Sequence, residues 1–297
     1  MTRDTLKAWI QASRPPFFIA TFAPLTIGWI LAAKDGWHTG RFFLVILGSF
    51  IVHLATNLAN DYFDHTKGTD SGESIGGSRV IQEGKISPET MLKVIVILYC
   101  LAFLVGFTIM INANLFIIFP LIVFAFLSSL FYVAPPVRYG YHGLGELFAG
   151  INMGPVMVVG TYMVISGHFD WIPFFVSIPV GFMVASILYY QNLPDMETDF
   201  ASGKYTLAVK LGEKGAFRGL IIFWILIYLS IITLILTKTL SWYAIFSLTS
   251  IPVFLKMVSI VKGAKDWVLL DQHGKYVRIL YVFNSIAIIA GLFRTFP

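Results

Sequence analysis

The chain has 297 residues, of which 57% are hydrophobic, 16% aromatic and only 12% charged, and its mean hydropathy is +0.78. Soluble domains usually have about 25% charged residues, so this composition excludes an ordinary soluble protein and indicates one that lies in a lipid bilayer. The net charge of +5 is compatible with nucleic-acid binding, but the basic residues lie between apolar segments, where membrane orientation explains them more simply. We therefore expect no nucleic-acid partner. The single cysteine, Cys100, excludes a disulfide framework and a cysteine-based metal site.

The N-terminal stretch MTRDTLKAWIQASRPPFF lacks the basic patch, the short apolar core and the small-residue cleavage site of a secretory signal peptide. Its apolar residues Leu6, Trp9 and Ile10 are interleaved with basic residues, which is typical of an amphipathic helix at the membrane surface. We expect this helix to lead into the first membrane span.

Nine apolar segments follow, each about long enough to cross 30 Å of hydrocarbon. They cover residues 17–33, 42–60, 91–111, 115–133, 146–166, 172–190, 217–236, 242–261 and 277–293. The sequence therefore predicts an all-α fold: a polytopic membrane bundle of about nine transmembrane helices, forming a single domain over residues 1–297.

The connections between these segments differ on the two sides of the predicted bundle. Those that follow even-numbered segments are long and polar, at 61–90, 134–145, 191–216 and 262–276. Most lysines and arginines fall on this side, and only four on the other: Lys34, Arg41, Lys238 and Arg294. By the positive-inside rule, we expect a multi-pass protein of the cell membrane whose N-terminus and polar connections are cytoplasmic. Nearly all acidic residues lie on the same side, where orientation does not require them, so this side is predicted to carry the chemistry.

The second apolar segment ends in an acidic motif, NLANDYFDHTKGTD, at residues 57–70. On a helix, Asn57, Asp61 and Asp64 have the spacing i, i+4, i+7 and share one face. Carboxylates repel one another and are unfavourable beside hydrocarbon unless something binds them. Their presence here predicts a ligand.

A similar motif, NLPDMETDFASGK, ends the sixth apolar segment at residues 192–204. Asn192, Asp195 and Asp199 have the spacing i, i+3, i+7 and are predicted to share a helical face at the same end of the bundle. Several carboxylates without cysteine or histidine ligand spacings favour Mg²⁺, which binds carboxylate and phosphate oxygens, over zinc.

Basic residues are carried by the same polar regions: Arg14, Lys67, Arg79, Arg138 and Lys204. Carboxylates that bind a metal, together with cations that bind phosphate, are suited to holding a diphosphate. The chain has no G-x-x-x-x-G-K-[ST] sequence, which excludes a P-loop nucleotide site. We expect the basic residues to bind the diphosphate and to contribute little to folding.

The two motifs resemble the aspartate-rich motifs of the UbiA superfamily of intramembrane prenyltransferases. Within that superfamily, the chain is most similar to the MenA branch, which prenylates 1,4-dihydroxy-2-naphthoate. Further pieces of the resemblance are SRP at 13–15, GGSRVIQEGKIS at 76–87 and YHGLGEL at 141–147. The resemblance covers residues 13–212, and the last three helices match only in hydropathy.

The resemblance implies a Mg²⁺-dependent transfer from a polyprenyl diphosphate to an aromatic acceptor, 1,4-dihydroxy-2-naphthoate, with decarboxylation to demethylmenaquinone in menaquinone biosynthesis. Four residues would hold Mg²⁺, partly through the diphosphate: Asp61, Asp64, Asp195 and Asp199. Seven residues would bind the diphosphate or orient its contacts: Arg14, Asn57, Lys67, Arg79, Arg138, Asn192 and Lys204.

Three alternatives remain open from the sequence. The first is a superfamily enzyme with another aromatic or lipid acceptor. The second is a secondary transporter, although transporters place ionisable residues near the bilayer midplane, whereas here they gather at one end. The third is a non-catalytic lipid-binding membrane protein, which the two intact acidic motifs disfavour.

Overall fold

The computed structural model describes residues 3–69 and 76–293, and all regular structure in those residues is helical. The α-helices of the described residues are, in chain order, α1 (Arg3–Ser13), α2 (Ile19–Leu31), α3 (Thr39–Lys67), α4 (Pro88–Ala113), α5 (Phe119–Phe131), α6 (Gly145–Ile151), α7 (Met157–Ser166), α8 (Trp171–Asn192), α9 (Met196–Ala201), α10 (Leu207–Leu236), α11 (Ile251–Gly263) and α12 (Lys275–Leu292). A π-helical turn (Asn152–Val156) joins α6 to α7, and a 3-10 segment (Trp242–Ser250) precedes α11.

Within the described residues, seven helical elements are long and apolar enough to cross a membrane. They are Thr39–Lys67, Pro88–Ala113, Gly145–Ser166, Trp171–Asn192, Leu207–Leu236, Trp242–Gly263 and Lys275–Leu292. Two shorter apolar helices, Ile19–Leu31 and Phe116–Phe131, correspond to the remaining predicted segments. The predicted all-α, multi-pass membrane bundle is therefore confirmed, with nine as an approximate count of its spans.

The N-terminal helix α1 packs against the bundle through its small residues. Ala8 and Ala12 are buried in the same apolar cluster as Leu58 of α3, whereas Leu6 and Ile10 are about half exposed, at 50% and 51%. The exposed apolar side chains suit the membrane surface, as expected for an amphipathic helix.

The polar connections meet at one end of the bundle. Lys67 at the end of α3 donates to the Gly203 carbonyl at 3.4 Å, and Lys210 donates to the His142 carbonyl at 2.7 Å. At the opposite end, Lys34 lies 3.8 Å from a carboxylate oxygen of Asp170. Arg294, which the sequence assigned to that opposite end, lies outside the described residues. The chain therefore gathers its charged connections at one side of the membrane-spanning helices.

Three glycines bring α6 and the π-helical turn into direct contact with α8. A Cβ atom on Gly154 would lie 2.7 Å from the Cα atom of Gly181, and one on Gly181 would lie 2.8 Å from the Gly150 carbonyl oxygen. Small residues of this kind allow two helix backbones to touch inside a membrane. The contact fixes the π-helical turn, so that its first residue, Asn152, lines the central cavity.

The first acidic motif lies on one helix, as predicted, but the second does not. Asn57, Asp61 and Asp64 all belong to α3. The helix α8 ends at Asn192, and α9 begins after Asp195. The prediction of one continuous helical face for the second motif is therefore wrong, because Pro194 has no N–H to continue the helical hydrogen bonds.

Candidate active site

A cavity of about 820 Å³ enters the bundle from the polar end. Asp64, Asp195, Asp199 and Lys204 line its mouth. Deeper in the bundle its walls are mainly apolar, with residues such as Val45, Ile109, Ile122 and Val164. The cavity can therefore receive a molecule with a charged head and an apolar body.

Asp61 lies beside the mouth, where three groups bind it. Its side chain is 4% exposed and forms an ion pair with the Arg14 guanidinium. It also accepts hydrogen bonds from the Ser78 hydroxyl and from the Ser78 backbone N–H, the latter at 3.0 Å. Asp61 is not part of the cavity wall, whereas Arg14 and Ser78 are. The arrangement places Arg14, rather than Asp61, at the surface that a ligand would touch.

Asp64 is the residue of α3 that reaches the cavity, and it is 1% exposed. It accepts a hydrogen bond from the Tyr141 hydroxyl, and its Oδ2 atom lies 3.3 Å from Lys204 Nζ. Burial and the Asp64 carboxylate both raise the pKa of Tyr141, so its hydroxyl keeps the proton that it donates. Tyr141 therefore holds Asp64 in a fixed orientation.

Asp199, from the second motif, binds the same lysine. Its Oδ1 atom lies 3.4 Å from Lys204 Nζ, and its Oδ2 atom is buried without a hydrogen-bond partner in the described part of the chain. Burial raises the pKa of Asp199 to about 6, although Lys204 opposes the shift. Burial alone would lower the pKa of Lys204, but Asp64 and Asp199 raise it well above its usual value. The two motifs thus meet at one ammonium group.

The donor set at the mouth fits a hard divalent cation that is shared with a ligand. Among the described residues, no three histidine, cysteine, aspartate or glutamate side chains are grouped closely enough to hold a metal ion alone. Asp64, Asp195 and Asp199 nevertheless line one mouth, and the unpartnered Asp199 Oδ2 is available to bind a cation. Mg²⁺ commonly takes one or two carboxylates and completes its shell with phosphate oxygens and water.

The two asparagines of the motifs line the cavity and are oriented by hydrogen bonds. Asn57 donates to the Ser13 carbonyl at 3.1 Å, which ties α3 to the end of α1. Asn192 donates to Glu146 Oε1 at 2.8 Å. The buried carboxylate of Glu146 thereby fixes the side chain that ends α8.

The predicted basic residues divide into two groups. Arg14 and Lys204 are part of the cavity wall, whereas Lys67, Arg79 and Arg138 do not belong to it in the described structure. Lys67 Nζ lies 3.8 Å from the centroid of the Tyr141 ring, and the Arg138 guanidinium carbon lies 6.0 Å from it. These two cations therefore lie near the ring of Tyr141, the residue that orients Asp64.

Three further site residues are not marked by charge pattern or spacing in the sequence: Ser78, Tyr141 and Glu146. Ser78 and Tyr141 are neutral and belong to connections, where no periodicity marks a residue as important. Glu146 is charged but stands alone in the sequence. The stretches in which they lie, GGSRV and YHGLGEL, stand out only through their resemblance to a family.

The helical fold and the site together define a class of protein: a membrane-embedded bundle with charged groups at the mouth of a largely apolar chamber. Residues 21–267 match the UbiA prenyltransferase family, and the chain belongs to that family. The family predicted from the two aspartate motifs is thus confirmed.

Two relatives and one solved structure illustrate the relationship. The chain is 31% identical over 255 residues to a 1,4-dihydroxy-2-naphthoate octaprenyltransferase from Bacillus subtilis, covering 85% of this chain and 80% of the relative. It is 27% identical over 296 residues to a 2-carboxy-1,4-naphthoquinone phytyltransferase from Synechocystis, covering 97% and 93%. A UbiA homolog from Archaeoglobus fulgidus bound to GPP and Mg²⁺ has a TM-score of 0.66 at 14% identity, covering 95% and 99%. At that identity, the structural likeness shows the fold alone.

Proposed function

We propose that the protein transfers a polyprenyl group from its diphosphate to 1,4-dihydroxy-2-naphthoate, in a reaction that requires Mg²⁺. The observation that carries the proposal is the meeting of the two aspartate motifs at Lys204, at the mouth of an apolar cavity. The name of the Bacillus subtilis relative supports the acceptor. The Archaeoglobus fulgidus homolog, which is bound to GPP and Mg²⁺, supports a prenyl diphosphate as the donor and Mg²⁺ as the metal.

The charged mouth would hold the diphosphate, and different residues there would bind the metal, bind the phosphate oxygens and orient the head group. Asp64, Asp195 and Asp199 would hold the metal, which neutralises charge on the diphosphate when bound. Lys204 and Arg14 would donate charge-assisted hydrogen bonds to the departing diphosphate. Asn57 and Asn192, each fixed by its own hydrogen bond, would orient the head group.

The apolar part of the cavity would hold the prenyl chain away from water. In the proposed reaction the bond between the allylic carbon and the diphosphate oxygen breaks, and that carbon bonds to the electron-rich ring of the acceptor. The acceptor then loses carbon dioxide and a proton. A dry cavity protects an electron-deficient allylic carbon from attack by water.

We also propose that the polar end of the bundle faces the cytoplasm of a cell-membrane protein. The excess of lysine and arginine in the connections at that end supports this orientation.

The test is prenyl transfer by the purified protein with one polyprenyl diphosphate and a panel of acceptors that includes 1,4-dihydroxy-2-naphthoate and 4-hydroxybenzoate. We expect a prenylated, decarboxylated naphthalene product that is lost with excess EDTA and restored by Mg²⁺. Transfer to a different acceptor in preference to the naphthoate would contradict the proposed substrate. Full turnover in excess EDTA would contradict the metal.

A further inference from the structure

One wall of the cavity is polar although it lies among membrane-spanning helices. Thr56 of α3 and Ser129 of α5 both line it, and their hydroxyl oxygens are 2.5 Å apart. Behind them, the Tyr99 hydroxyl lies 2.8 Å from Ser129 Oγ. Polar groups at this depth are unfavourable unless they are hydrogen-bonded, and they usually mark a functional path or site.

Asn152 of the π-helical turn continues this wall. Its amide nitrogen donates to Ser128 Oγ at 2.5 Å and to the Phe148 carbonyl at 2.7 Å. The Tyr139 hydroxyl donates to the Ser128 carbonyl at 2.7 Å. π-helical turns inside α-helices frequently occur at functional sites. The turn here places a side-chain amide on the cavity wall, next to Ser128 of α5.

The hydrogens of this wall are used within the protein. Thr56 donates its one hydroxyl proton to the Val52 carbonyl at 2.8 Å, so in its contact with Ser129 the serine is the donor. The Ser129 proton is thereby used, so the buried Tyr99 hydroxyl donates to Ser129 Oγ. Both amide hydrogens of Asn152 are likewise engaged. Its Oδ1 atom, however, has no hydrogen-bond partner in the described structure. The wall therefore presents oxygen atoms that can accept hydrogen bonds from a ligand in the cavity, and hardly any groups that can donate them.

We propose that this acceptor-rich wall, formed by Thr56, Ser129 and Asn152, is the subsite for a phenolic hydroxyl of the aromatic acceptor. The inference rests on the proposed function and adds the residues that recognise the ring. A phenolic hydroxyl donates one hydrogen bond. Asn152 Oδ1 and the hydroxyl oxygens of the wall can accept that bond. By accepting that bond, the wall also raises the electron density of the ring, which is the nucleophile of the reaction.

The position of the wall suits a ring that lies beneath the diphosphate. Thr56 precedes Asp64 by eight residues on α3, which corresponds to about 12 Å along the helix axis. That distance leaves room for the diphosphate and the allylic carbon between the carboxylates and the ring. The remaining apolar cavity is left for the prenyl chain.

The experiment measures equilibrium binding of two naphthoates to the full-length protein without a prenyl donor. The ligands are 1,4-dihydroxy-2-naphthoate and 1-hydroxy-2-naphthoate, which lacks the 4-hydroxyl. We expect the wild type to prefer the dihydroxy ligand by about ten-fold or more, since a site built to bind a hydroxyl rejects the analogue without it. Thr56→Val and Asn152→Leu are expected to reduce this preference to about two-fold or less.

Two controls separate recognition from folding. Thr161→Val changes another hydroxyl of the cavity wall, one that has no hydrogen-bond partner in the described structure, and is expected to keep the preference. All three variants are expected to keep the Kd for a prenyl diphosphate with Mg²⁺. Thr161→Val should also keep the melting temperature, whereas Thr56→Val and Asn152→Leu should lower it because they remove buried hydrogen bonds. If Asn152→Leu does not fold, because it also removes the bonds to Ser128 and Phe148, the isosteric Thr56→Val decides the result.

The outcomes for the wall and for the proposed function are distinguishable. Equal binding of the two naphthoates by the wild type, or an unchanged preference in a folded Thr56→Val, would overturn the wall as the hydroxyl subsite even if prenyl transfer to the naphthoate is observed. Loss of the preference in the variants, combined with transfer only to some other acceptor, would support the wall and refute the proposed substrate.

Discussion

Asp64 and Asp199 come from different helices and lie on either side of one ammonium group. Lys204 Nζ is 3.3 Å from Asp64 Oδ2 and 3.4 Å from Asp199 Oδ1. Both side chains are nearly inaccessible, at 1% and 5% exposure. Because the two carboxylates repel one another, the positive charge of the lysine between them stabilises the meeting of the two aspartate motifs.

The first prediction concerns the removal of that lysine. Lys204→Gln should lower the melting temperature of the purified protein, since taking one partner out of a buried ion pair destabilises a protein by about 3–5 kcal/mol. It should also weaken prenyl diphosphate binding by about ten- to a hundred-fold, because a charge-assisted bond to phosphate contributes about 1.5–3 kcal/mol. Thermal unfolding and donor titration measure the two effects.

Lys210→Gln is the matched control, because Lys210 is exposed and, among the described residues, its ammonium group donates to the His142 carbonyl and to no carboxylate. It should change neither quantity appreciably. A Lys204→Gln variant with wild-type donor affinity would remove Lys204 from the site. This prediction revises the expectation from sequence that the basic residues contribute little to folding.

The second prediction concerns Tyr141, which donates its hydroxyl proton to Asp64. Tyr141→Phe keeps the ring beneath Lys67 but removes this bond. We expect turnover to fall by about ten-fold or more at saturating donor and at fixed Mg²⁺, and to recover in part at higher Mg²⁺, because the freed Asp64 carboxylate is less well oriented for the metal.

Tyr205→Phe serves as the control for this change. Tyr205 is 44% exposed, and its ring contact with Phe200 survives the substitution. Equal turnover in Tyr141→Phe and Tyr205→Phe would show that the bond to Asp64 has no part in the reaction.

The sequence predicted the parts of the structure that depend on periodicity. The apolar segments became helices, and the spacing of Asn57, Asp61 and Asp64 placed them on α3. Pro194 lies between α8 and α9, but a proline alone does not indicate a break in this chain, since Pro24 and Pro179 lie inside α2 and α8. Helical spacing is set by local geometry, so it can be read from a single sequence.

The contacts that complete the site depend on how distant connections meet. Arg14 reaches Asp61 because its backbone is left-handed, with φ of 51°, which nothing in its side chain indicates. Ser78 and Tyr141 reach the two aspartates from connections that have no regular period. The exclusion of Arg79 and Arg138 from the cavity wall has the same origin, because charge alone does not say which way a connection turns.

The third prediction concerns the orientation of the polar end. In a Cys100→Ala background, Leu269→Cys and Phe169→Cys place single exposed thiols at opposite ends of the bundle, since the parent side chains are 53% and 44% exposed. A membrane-impermeant thiol reagent added to intact cells should label the residue-169 variant and not the residue-269 variant. Labelling of the second variant alone would reverse the proposed orientation.

The central claim is that the two aspartate motifs act as one site on one metal-bound diphosphate. The most direct measurement is prenyl transfer by Asp64→Asn, by Asp195→Asn and by the double variant, with melting temperatures to confirm folding. Each single change removes an anionic ligand while nearly preserving shape, and we expect turnover to fall by at least about a hundred-fold. The double variant should be little worse than either, because residues that act as a unit are strongly non-additive.

Asp266→Asn is the control for that measurement. Asp266 is exposed and caps the segment Trp267–His273 by accepting from the Val268 N–H at 2.9 Å, a role that asparagine fills equally well. It should retain near-normal turnover. Small and additive losses in the two motif variants, or an Asp266→Asn variant as damaged as Asp64→Asn, would contradict the account of a single shared site.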